Sequence, residues 1–413
     1  MLNVKAARNI ILEQCSRLTP ESLPCETVPI LEAFQRVLAE VVRVDRDYPP
    51  FARSMRDGYA LLAQDVQHVP VDLRCIGEIK AGDDTKLELR AGEAVLIMTG
   101  TPVPSSADSV VMLEHTERLF ENAVRILKAP RPWENVASKG SERLAGETAL
   151  SPHHLIGPFA MGVLATIGKS RVRVFRKPTV GILSTGDELV DLRAIPGPGK
   201  IRNSNSYSLS SQVLRCGAVP VLLRTAGDQV SNLQRQIRKG LESDVLLVNG
   251  GVSMGKYDLV EPVFAKLGIK VHFESVSMRP GKPTVFATRD EKWIFGLPGN
   301  PVSTFVAFEL FVRPVLRALQ GLKPATLPLA PAILETGVVE KSGRTAFLPA
   351  KLVRRQTGFG VSPVEWKGSA DVFSSAEANC LIIVPLEITK LTAGQLVNVL
   401  AFEDCDSELE GIF

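Results

Sequence analysis

Three loops of this 413-residue chain combine glycine with carboxylate, hydroxyl or amide side chains, and each follows a short apolar run. They span residues 184–188 (STGDE), 249–255 (NGGVSMG) and 297–303 (LPGNPVS). Glycine lets backbone amides approach an anion closely, and a helix that starts in such a loop adds a favourable dipole. One loop of this kind is often no more than a tight turn. Three of them at the edge of one sheet favour a site for a nucleotide or a phosphoanhydride.

Carboxylates next to these loops have the chemistry of magnesium ligands. Glu188, Asp228 and Asp258 could together hold a magnesium ion that bridges phosphate oxygens. Taken alone, Asp228 is better interpreted as the cap of the helix that follows it, and only its two companions favour the metal. Residues 250–256 also fit the pattern GxxxxGK, but Tyr257 stands where a P-loop carries the serine or threonine that holds magnesium. We therefore do not interpret this loop as a P-loop.

A basic segment, Arg279-Pro280-Gly281-Lys282-Pro283, offers the opposite charge. Its two cations are held apart by a Pro-Gly turn, an arrangement that suits a tetrahedral oxyanion. Arginine presents a planar fork of donors and lysine a compact point charge. The alternative interpretation of this segment is a solvated turn without a ligand.

Composition and charge exclude several other classes of protein. Lysine and arginine total 48 against 45 aspartate and glutamate, a net charge of +3, which argues against a nucleic-acid binder. Residues 1–17 lack the order of a secretory signal, and residues 157–168 are too short and too interrupted by glycine to span a membrane. The six cysteines are scattered and the five histidines show no ligand spacing. This pattern predicts a reduced, cytoplasmic protein without structural zinc or an iron–sulfur cluster.

The elements that must position these loops predict an α/β multidomain fold. Residues 178–326 alternate apolar runs with helical patterns, which indicates a parallel sheet covered on both faces, with ligands beyond the carboxyl ends of its strands. Residues 45–140 are rich in short β-type runs and turns, and predict an inserted β-rich domain. Residues 1–44 and 141–177 are predicted to form a helical connecting domain, and residues 327–413 a small β-barrel or sandwich.

Whole motifs of the chain resemble those of the molybdopterin molybdenumtransferases, the family of the bacterial MoeA proteins and of the matching domain of gephyrin. Four loops occur in the order of that family, as STGDEL, NGGVSMG, RPGKP and GLPGNPVS. Residues 54–60 (SMRDGYA) are similar to its S-x-x-DGYA motif and residues 97–102 (IMTGTP) to its MTG-x-P motif. Gly368-Ser369 and residues 376–380 (AEANC) are similar to its carboxy-terminal pattern. The resemblance covers nearly the whole chain.

The resemblance implies an L-shaped homodimer of four-domain subunits, with dimerisation through the connecting domain. The active cleft would lie between the α/β domain of one subunit and the inserted β-rich domain of the other. The α/β domain would have the three-layer fold of the MogA-type molybdopterin adenylyltransferases, and that adenylyltransferase is a further candidate partner. The implied substrates are adenylylated molybdopterin and molybdate, with Mg²⁺ as cofactor, AMP as product, and neither nucleic acid nor membrane as a partner.

Family motifs also imply roles for named residues. Catalytic positions are implied for Asp57, Thr99, Glu142, Glu188, Asp228 and Asp258, with Asp228 and Asp258 also holding magnesium. Substrate-binding positions are implied for Ser184, Thr185, Gly186, Gly250, Gly251, Ser253, Pro298, Gly299, Asn300 and Pro301. Molybdate-binding positions are implied for Arg279, Lys282, Pro283, Arg344 and Ser369. These roles imply a mechanism in which the loops and magnesium hold the phosphoanhydride. The basic residues hold molybdate beside the pterin dithiolene, and cleavage of the anhydride accompanies metal insertion.

The chain departs from the family pattern at several positions. Glu142 stands where the family usually has aspartate, and Arg279 where lysine is also common, so both charges are preserved. Residues 343–349 (GRTAFLP) differ more, because Ala346 and Pro349 replace the glutamate and the second arginine of a GR-x-E-F-x-R motif. We interpret that second arginine as an oxyanion contact, so Pro349 is expected to remove a contact to molybdate and to change either the affinity for molybdate or the role of the fourth domain.

Two alternatives from other functional classes follow from the same residues. A scaffold protein that kept the fold without turnover would explain Pro349, but not the retained acidic motifs. A nucleotide hydrolase with a related molybdopterin-binding domain would not explain the motifs at Asp57 and Thr99. The sequence admits either molybdate or tungstate as the oxyanion, since the two differ little in size and charge.

Overall fold

The computed structural model describes residues 1–83, 87–120, 122–227, 229–251, 260–323, 327–356 and 358–402. Asp228, Ser253 and Asp258, to which the sequence analysis assigns roles, lie outside these ranges. Within the ranges, no helix is both long enough and apolar enough to cross a membrane.

The first 175 residues fold mainly into short strands. Their elements are β1 (Leu2–Asn3), α1 (Val4–Cys15), β2 (Cys25–Pro29), β3 (Val42–Arg43), β4 (Arg53–Ser54), β5 (Gly58–Leu61), β6 (Val71–Ile79), β7 (Glu93–Ile97), β8 (Ser109–Met112), β9 (Thr116–Phe120), β10 (Ala123–Ile126), β11 (Val136–Ala137), β12 (Thr148–Leu150), α2 (Pro158–Thr166) and β13 (Arg171–Phe175), with 3₁₀ turns at Ile30–Ala33, Ala63–Val66 and Leu113–His115.

The remainder contains an α/β region followed by a second β-rich region. Its elements are β14 (Thr179–Ser184), β15 (Leu189–Val190), β16 (Ile201–Arg202), α3 (Asn205–Arg215), β17 (Val219–Leu222), α4 (Val230–Gly240), β18 (Val245–Asn249), α5 (Val260–Lys266), β19 (Lys270–Phe273), β20 (Val276–Arg279), β21 (Val285–Arg289), β22 (Lys292–Leu297), α6 (Pro301–Ala307), a π-helical turn (Phe308–Val312), α7 (Arg313–Leu319), β23 (Leu329–Leu334), β24 (Val338–Val339), β25 (Thr345–Arg355), β26 (Gly358–Pro363), α8 (Val372–Ser375), β27 (Cys380–Val384), β28 (Lys390–Leu391) and β29 (Leu396–Ala401).

The segments that the sequence predicts to be a helical connecting domain are helical only in part. α2 is a helix, but the basic run after it is strand β13, which pairs antiparallel with β2. Along β13 the side chains alternate, because Val172 and Val174 are buried while Arg171 and Arg173 are exposed. Alternation with a period of two is the pattern of a half-buried strand. The helical prediction was therefore wrong for β2 and β13.

Helix α1 forms where the sequence predicts a helix, but it packs elsewhere. Its buried residues Ala7, Ile11 and Cys15 join the hydrophobic core of the α/β region and lie against α7. Asn3 caps the helix, since its Oδ1 accepts a hydrogen bond of 2.8 Å from the amide of Ala6. β1, just before the helix, pairs in parallel with β20. The first residues of the chain thus complete a unit that lies far along the sequence.

Residues 53–126 contain a six-stranded sheet in the order β8-β5-β7-β6-β10-β9. Gly58 begins β5, between β7 and β8, and a Cβ atom at this position would overlap the carbonyl oxygen of Val111. Only glycine permits this close approach of two strands. The glycine therefore fixes the position of Asp57, the residue that precedes it.

The α/β region is a six-stranded sheet in the order β17-β14-β18-β22-β21-β19. α1, α3, α6 and α7 pack on one face, and α4 and α5 on the other. β17, β14, β18 and β22 are parallel, whereas β21 and β19 run antiparallel to their neighbours, so the expectation of a parallel sheet holds for four of the six strands. Arg289 pairs with Lys292 across a two-residue turn, and so tight a turn can join only antiparallel strands.

The second β-rich region is a closed barrel. β25 pairs with β26, β26 with β23, β23 with β29, β29 with β27, and β27 again with β25. Closure leaves none of these five strands with an open edge inside the ring. β20 adds to β25 in parallel, with Met278 opposite Thr345 and Arg279 opposite Ala346. Hydrogen bonding is thus continuous between the α/β region and the barrel.

Candidate functional site

Three glycine-bearing loops emerge side by side from the α/β sheet. Ser184, at the end of β14, pairs with Asn249 at the end of β18, and Asn249 pairs with Leu297 at the end of β22. Because these strands are parallel, all three loops leave the same edge of the sheet. The topology therefore brings together the loops that the sequence analysis singled out.

An amide network joins the loops beneath this edge. Asn249 Nδ2 donates to the carbonyl of Pro298 (2.6 Å) and to Thr304 Oγ1 (3.0 Å). Asn205, the first residue of α3, donates through Nδ2 to Asn249 Oδ1 (2.8 Å) and to the carbonyl of Gly299 (2.7 Å). Asn205 Oδ1 is buried and has no hydrogen-bond partner in the described part of the chain. This oxygen is therefore an unused acceptor within the buried layer beneath the loops.

Sequence reasoning missed Asn205, although the run of asparagine and serine at residues 203–206 marks the start of a helix. Ser184, which was expected to bind substrate, lies instead in the buried layer. Its side chain is almost fully buried, and its Oγ is 2.9 Å from Ser206 Oγ. Ser184 supports the floor of the site and does not line it.

A cavity of about 920 Å³ lies above this edge, and we call it the loop cavity. Lys200 and Arg202 add positive charge to its wall, and neither was anticipated from the sequence. Lys200 Nζ donates to the carbonyl of Asp187 at 2.7 Å. The residues of the loop cavity that the sequence analysis names are Thr185, Gly186, Glu188, Gly250, Gly251, Pro283, Pro298, Gly299, Asn300 and Pro301.

Gly250 has a backbone conformation that a side chain would disturb. Its φ is +85°, and a Cβ atom would lie 2.7 Å from the carbonyl oxygen of Thr185. Gly268 also has a positive φ (+65°) but has open space around it. A comparison of alanine substitutions at the two glycines therefore distinguishes the cost of backbone strain from the cost of steric overlap.

We expect Gly268→Ala to lower the free energy of unfolding by about 1–2 kcal/mol, the cost of a left-handed conformation with a Cβ. Gly250→Ala should lower it by about 1–3 kcal/mol more, because the overlap with Thr185 adds to the strain. Urea denaturation of both variants measures the difference. Equal losses would show that the loop can move away from Thr185 freely.

A second cavity of about 580 Å³ adjoins the first, and we call it the cationic cavity. It is shared between the α/β region and the barrel, which contributes Trp366, a residue that the sequence analysis missed. The five residues predicted to hold an oxyanion all line it, namely Arg279, Lys282, Pro283, Arg344 and Ser369. The two cavities have four wall residues in common, Pro283, Pro298, Gly299 and Asn300.

The cations of the cationic cavity differ in how far they are neutralised. Arg279 Nη1 donates to both carboxylate oxygens of Glu340, at 2.9 and 3.0 Å. Burial raises the pKa of Glu340, but hydrogen bonds from Ser342 and Arg279 outweigh it and hold that pKa below its usual value. Glu340 is thus a carboxylate that offsets Arg279. Lys282 is exposed, and within the described ranges its ammonium group makes no ion pair or hydrogen bond, so it carries the free charge.

The substituted residues of the 343–349 segment lie outside the cationic cavity. Ala346 is buried in the barrel core. Pro349, an odd number of positions along the same strand, faces the other way, into an apolar cavity of about 360 Å³ with Phe305 and Phe402. The expectation that Pro349 removes an oxyanion contact was therefore wrong, because a side chain there points at a different cavity.

Asp57, Thr99 and Glu142 make polar contacts away from the two cavities, Asp57 and Thr99 in the inserted region and Glu142 just after it. Asp57 Oδ1 accepts hydrogen bonds from the amide (2.7 Å) and the hydroxyl (2.8 Å) of Thr99, which lower the pKa of Asp57. Glu142 forms an ion pair with Arg53. None of these three predicted residues lines either cavity of the same chain. One subunit alone does not bring them to the sheet edge.

Residues that could hold magnesium are only partly described. Among the described residues, no group of three or more histidine, cysteine, aspartate or glutamate side chains is placed to bind a metal ion. Glu188 lines the loop cavity, and its carboxylate lies against Gly186, where a Cβ would collide with it. Magnesium is commonly held by one or two carboxylates together with substrate phosphates. The hard oxygen donors present fit that mode rather than an all-protein cage.

Three family models together match most of the chain. The MoeA N-terminal region (domain I and II) matches residues 2–168, the probable molybdopterin binding domain residues 181–318, and the MoeA C-terminal region (domain IV) residues 331–402. A molybdopterin molybdenumtransferase of Staphylococcus aureus is 32% identical over 98% of this chain and 97% of its own length. One of Bacillus subtilis is 34% identical over 92% and 90%.

Solved structures give the same relationship. A molybdopterin biosynthesis MoeA protein from Pyrococcus horikoshii superposes with a TM-score of 0.81 at 27% identity, covering 97% of this chain and 100% of that chain. A second structure of a MoeA protein from that source has a TM-score of 0.78 at 30% identity, covering 98% and 99%. The likeness extends over the whole chain rather than over the α/β region alone.

Proposed function

Because this chain belongs to the MoeA family of molybdopterin molybdenumtransferases, and so acts in molybdenum cofactor biosynthesis, we propose that it transfers molybdate onto adenylylated molybdopterin and releases AMP. The observation that carries the proposal is the shared wall of the two cavities. Glycine loops suited to a phosphoanhydride and cations suited to an oxyanion meet at this wall. The phosphoanhydride substrate and the oxyanion substrate would therefore be held next to each other across this wall.

In this proposal the loop cavity holds the adenylyl phosphoanhydride. Lys200 and Arg202, which line this cavity, would add positive charge next to the phosphates. Glu188, with Asp228 and Asp258 by family resemblance, would hold Mg²⁺, which when bound neutralises charge on the phosphate oxygens. Catalysis would then depend mainly on positioning and charge neutralisation.

The cationic cavity would hold molybdate. Lys282 supplies the free point charge and Arg344 the donor fork, while Arg279, offset by Glu340, fixes the turn that carries Lys282. Ser369 Oγ accepts from Asn300 Nδ2 at 2.8 Å and so remains able to donate its own proton to an oxyanion. Among the described residues that line this cavity, three are cations (Arg279, Lys282 and Arg344), two are serines (Ser303 and Ser369) and none is a carboxylate.

The decisive assay is AMP release from adenylylated molybdopterin, measured with and without molybdate and with and without Mg²⁺. We expect release only when both are present. Tight pterin binding without release would instead make the protein a scaffold. Release without Mg²⁺ would remove the metal from the proposal but leave the transfer reaction in place.

We also propose a homodimer whose active site spans two subunits. Asp57, Thr99 and Glu142 are remote from both cavities of their own chain, so a second copy would have to supply them. Helix α2 offers an apolar surface for such a partner, because Phe159 is 94% exposed and Val163 is exposed on the same helix. A second copy that covers this helix would remove its apolar surface from water.

A mixed dimer tests the shared site. Asp57→Asn and Lys282→Ala subunits are co-expressed with different affinity tags, and the mixed dimers are isolated with both tags. Each mixed dimer should regain about half of the wild-type activity, because one of its two sites receives both intact halves. The two parent homodimers serve as low-activity controls, with molybdate kept well below the raised KM of the Lys282→Ala protein. Inactive mixed dimers, or a protein that forms no dimers, would contradict the shared site.

We further propose that the molybdopterin adenylyltransferase is a partner of the α/β region and passes adenylylated molybdopterin to it. We also propose that the protein acts in the cytoplasm. No disulfide joins any two of the five cysteines in the described ranges, which agrees with a reducing compartment.

A further inference from the structure

A short segment of the barrel, residues 367–375, reaches both cavities, and we call it the barrel segment. Asp371 organises it. Its Oδ2 accepts hydrogen bonds from the amide of Lys367 (3.0 Å) and the hydroxyl of Ser374 (2.7 Å), and its Oδ1 accepts from the amide of Ser374 (3.1 Å). Ser375 Oγ donates to the carbonyl of Asp371 at 2.6 Å. A single carboxylate therefore holds both ends of the segment in place.

The barrel segment is also tied to the α/β region. The amide of Val302, in the first turn of α6, donates to the carbonyl of Ser369 at 3.0 Å, and Asn300 Nδ2 donates to Ser369 Oγ. Ser369 lines the cationic cavity, and Phe373, four residues further on, lines the loop cavity. The segment thus spans the shared wall and contacts both ends of the proposed substrate site.

Phe373 is unusual among the residues of the loop cavity. Its side chain is 87% exposed, although α8, on which it lies, is fixed by Asp371. Its neighbours on the cavity wall are apolar or small, namely Pro196, Ala370 and Val372. An aromatic side chain that lines the loop cavity and is this exposed has a ring face available for a planar ligand.

We propose that Phe373 is a stacking platform that binds a planar heteroaromatic ring of the substrate, and that Asp371 is the positioning residue that holds it there. This inference rests on the proposed function, since adenylylated molybdopterin carries two such rings, adenine and the pterin. Phe373 determines affinity for one of them and takes no part in anhydride cleavage. Stacking on an aromatic side chain is a general means of binding a base through its face, without hydrogen bonds to the atoms at its edge.

The test compares ring binding by variants of the purified full-length protein. Titration with AMP and, separately, with molybdopterin identifies which ring Phe373 contacts. Phe373→Ala and Phe373→Leu should weaken one of these two ligands about five- to a hundredfold, while Phe373→Tyr and Phe373→Trp retain binding because the ring is kept. Phe359→Ala is the matched control, because Phe359 is an exposed barrel phenylalanine that lines neither cavity.

The outcomes separate this inference from the proposed function. If the wild-type protein binds neither ligand, the proposed function fails first. If the wild type binds and Phe373→Ala binds both ligands equally well, the platform is wrong while the function stands. Equal binding by Phe373→Leu and the wild type would also overturn it, because apolar area rather than an aromatic face would then suffice.

Asp371 is tested by a double-mutant cycle. If Asp371 acts through Phe373, Asp371→Ala should weaken the same ligand, and Asp371→Ala with Phe373→Ala should weaken it no more than Phe373→Ala alone. In each single variant, the kcat of molybdate-dependent AMP release should change less than the KM for adenylylated molybdopterin. Additive losses would contradict the positioning role and assign Asp371 a structural effect of its own.

Discussion

Lys282→Ala should reduce molybdate-dependent AMP release more than any other single change in the cationic cavity. Within the described ranges the Lys282 ammonium group makes no ion pair or hydrogen bond, whereas Arg279 is offset by Glu340. Arg344, also without an ion pair there, donates to the carbonyl of Met278 at 3.2 Å. Loss of one charge-assisted contact costs about 1.5–3 kcal/mol, which corresponds to about a 10- to 150-fold weaker affinity for the oxyanion. The change should appear as a higher KM for molybdate and, if the charge also grows in the transition state, as a lower kcat.

Matched lysine variants make this test specific. Lys200→Ala removes a cation from the loop cavity. It should leave the KM for molybdate unchanged and weaken binding of the adenylyl end of the other substrate. Lys282→Arg keeps the charge and should recover part of the affinity, because the fork is larger than the ammonium group. Full molybdate-dependent activity in Lys282→Ala would exclude the residue from the mechanism.

Glu309→Ala should destabilise the α/β region strongly. The Glu309 carboxylate is fully buried in the π-helical turn, where it forms an ion pair with Arg215, accepts a hydrogen bond from Gln212 Nε2 (2.6 Å) and lies 3.7 Å from Arg313 Nη1. Arg313 is itself buried. Removal of one partner from a buried ion pair costs about 3–5 kcal/mol, since the remaining charge keeps its desolvation penalty.

A surface pair in the same chain provides the control for Glu309. Glu13, in α1, and Arg17, just after this helix, have the same spacing of four residues as Glu309 and Arg313, but both side chains are about two-thirds exposed. Glu13→Ala should therefore cost less than about 1 kcal/mol. Urea denaturation followed by tryptophan fluorescence compares the two, because Trp293 lies in the core next to Phe286. Equal losses would show that the buried cluster contributes no more than a surface pair.

Local patterns explain why the sequence predicted the loops of the site so well. Glycine, proline and carboxylate residues at 184–188 and 297–303 report on backbone geometry within a few residues. Parallel strands then bring their ends together without further information. The family resemblance added residues from the barrel, such as Arg344 and Ser369, which no local pattern connects to the sheet edge. The structure places both in the cationic cavity.

Other features depend on contacts that no local pattern records. Asn205 belongs to the site because the start of α3 lies at the end of β18, where Asn205 contacts Asn249. Trp366 belongs to it because the barrel lies next to the turn at Lys282 and both residues line the cationic cavity. The composition of β13 indicates only a basic run at the end of a helix. The strand is indicated by the alternation of its buried valines with its exposed arginines. The position of Pro349 required the register of β25, since a side chain three positions from Ala346 faces the opposite side of the strand.

The pairing of β20 with both β1 and β25 bears on how this protein could be divided or recombined. A fragment that ends before residue 327 would expose one edge of β20, and a fragment that lacks the first residues would expose the other. Unpaired strand edges of this kind recruit other chains and favour aggregation. The unit to be expressed intact is therefore the α/β region with its amino-terminal strand and its barrel, although two separate stretches of sequence encode it.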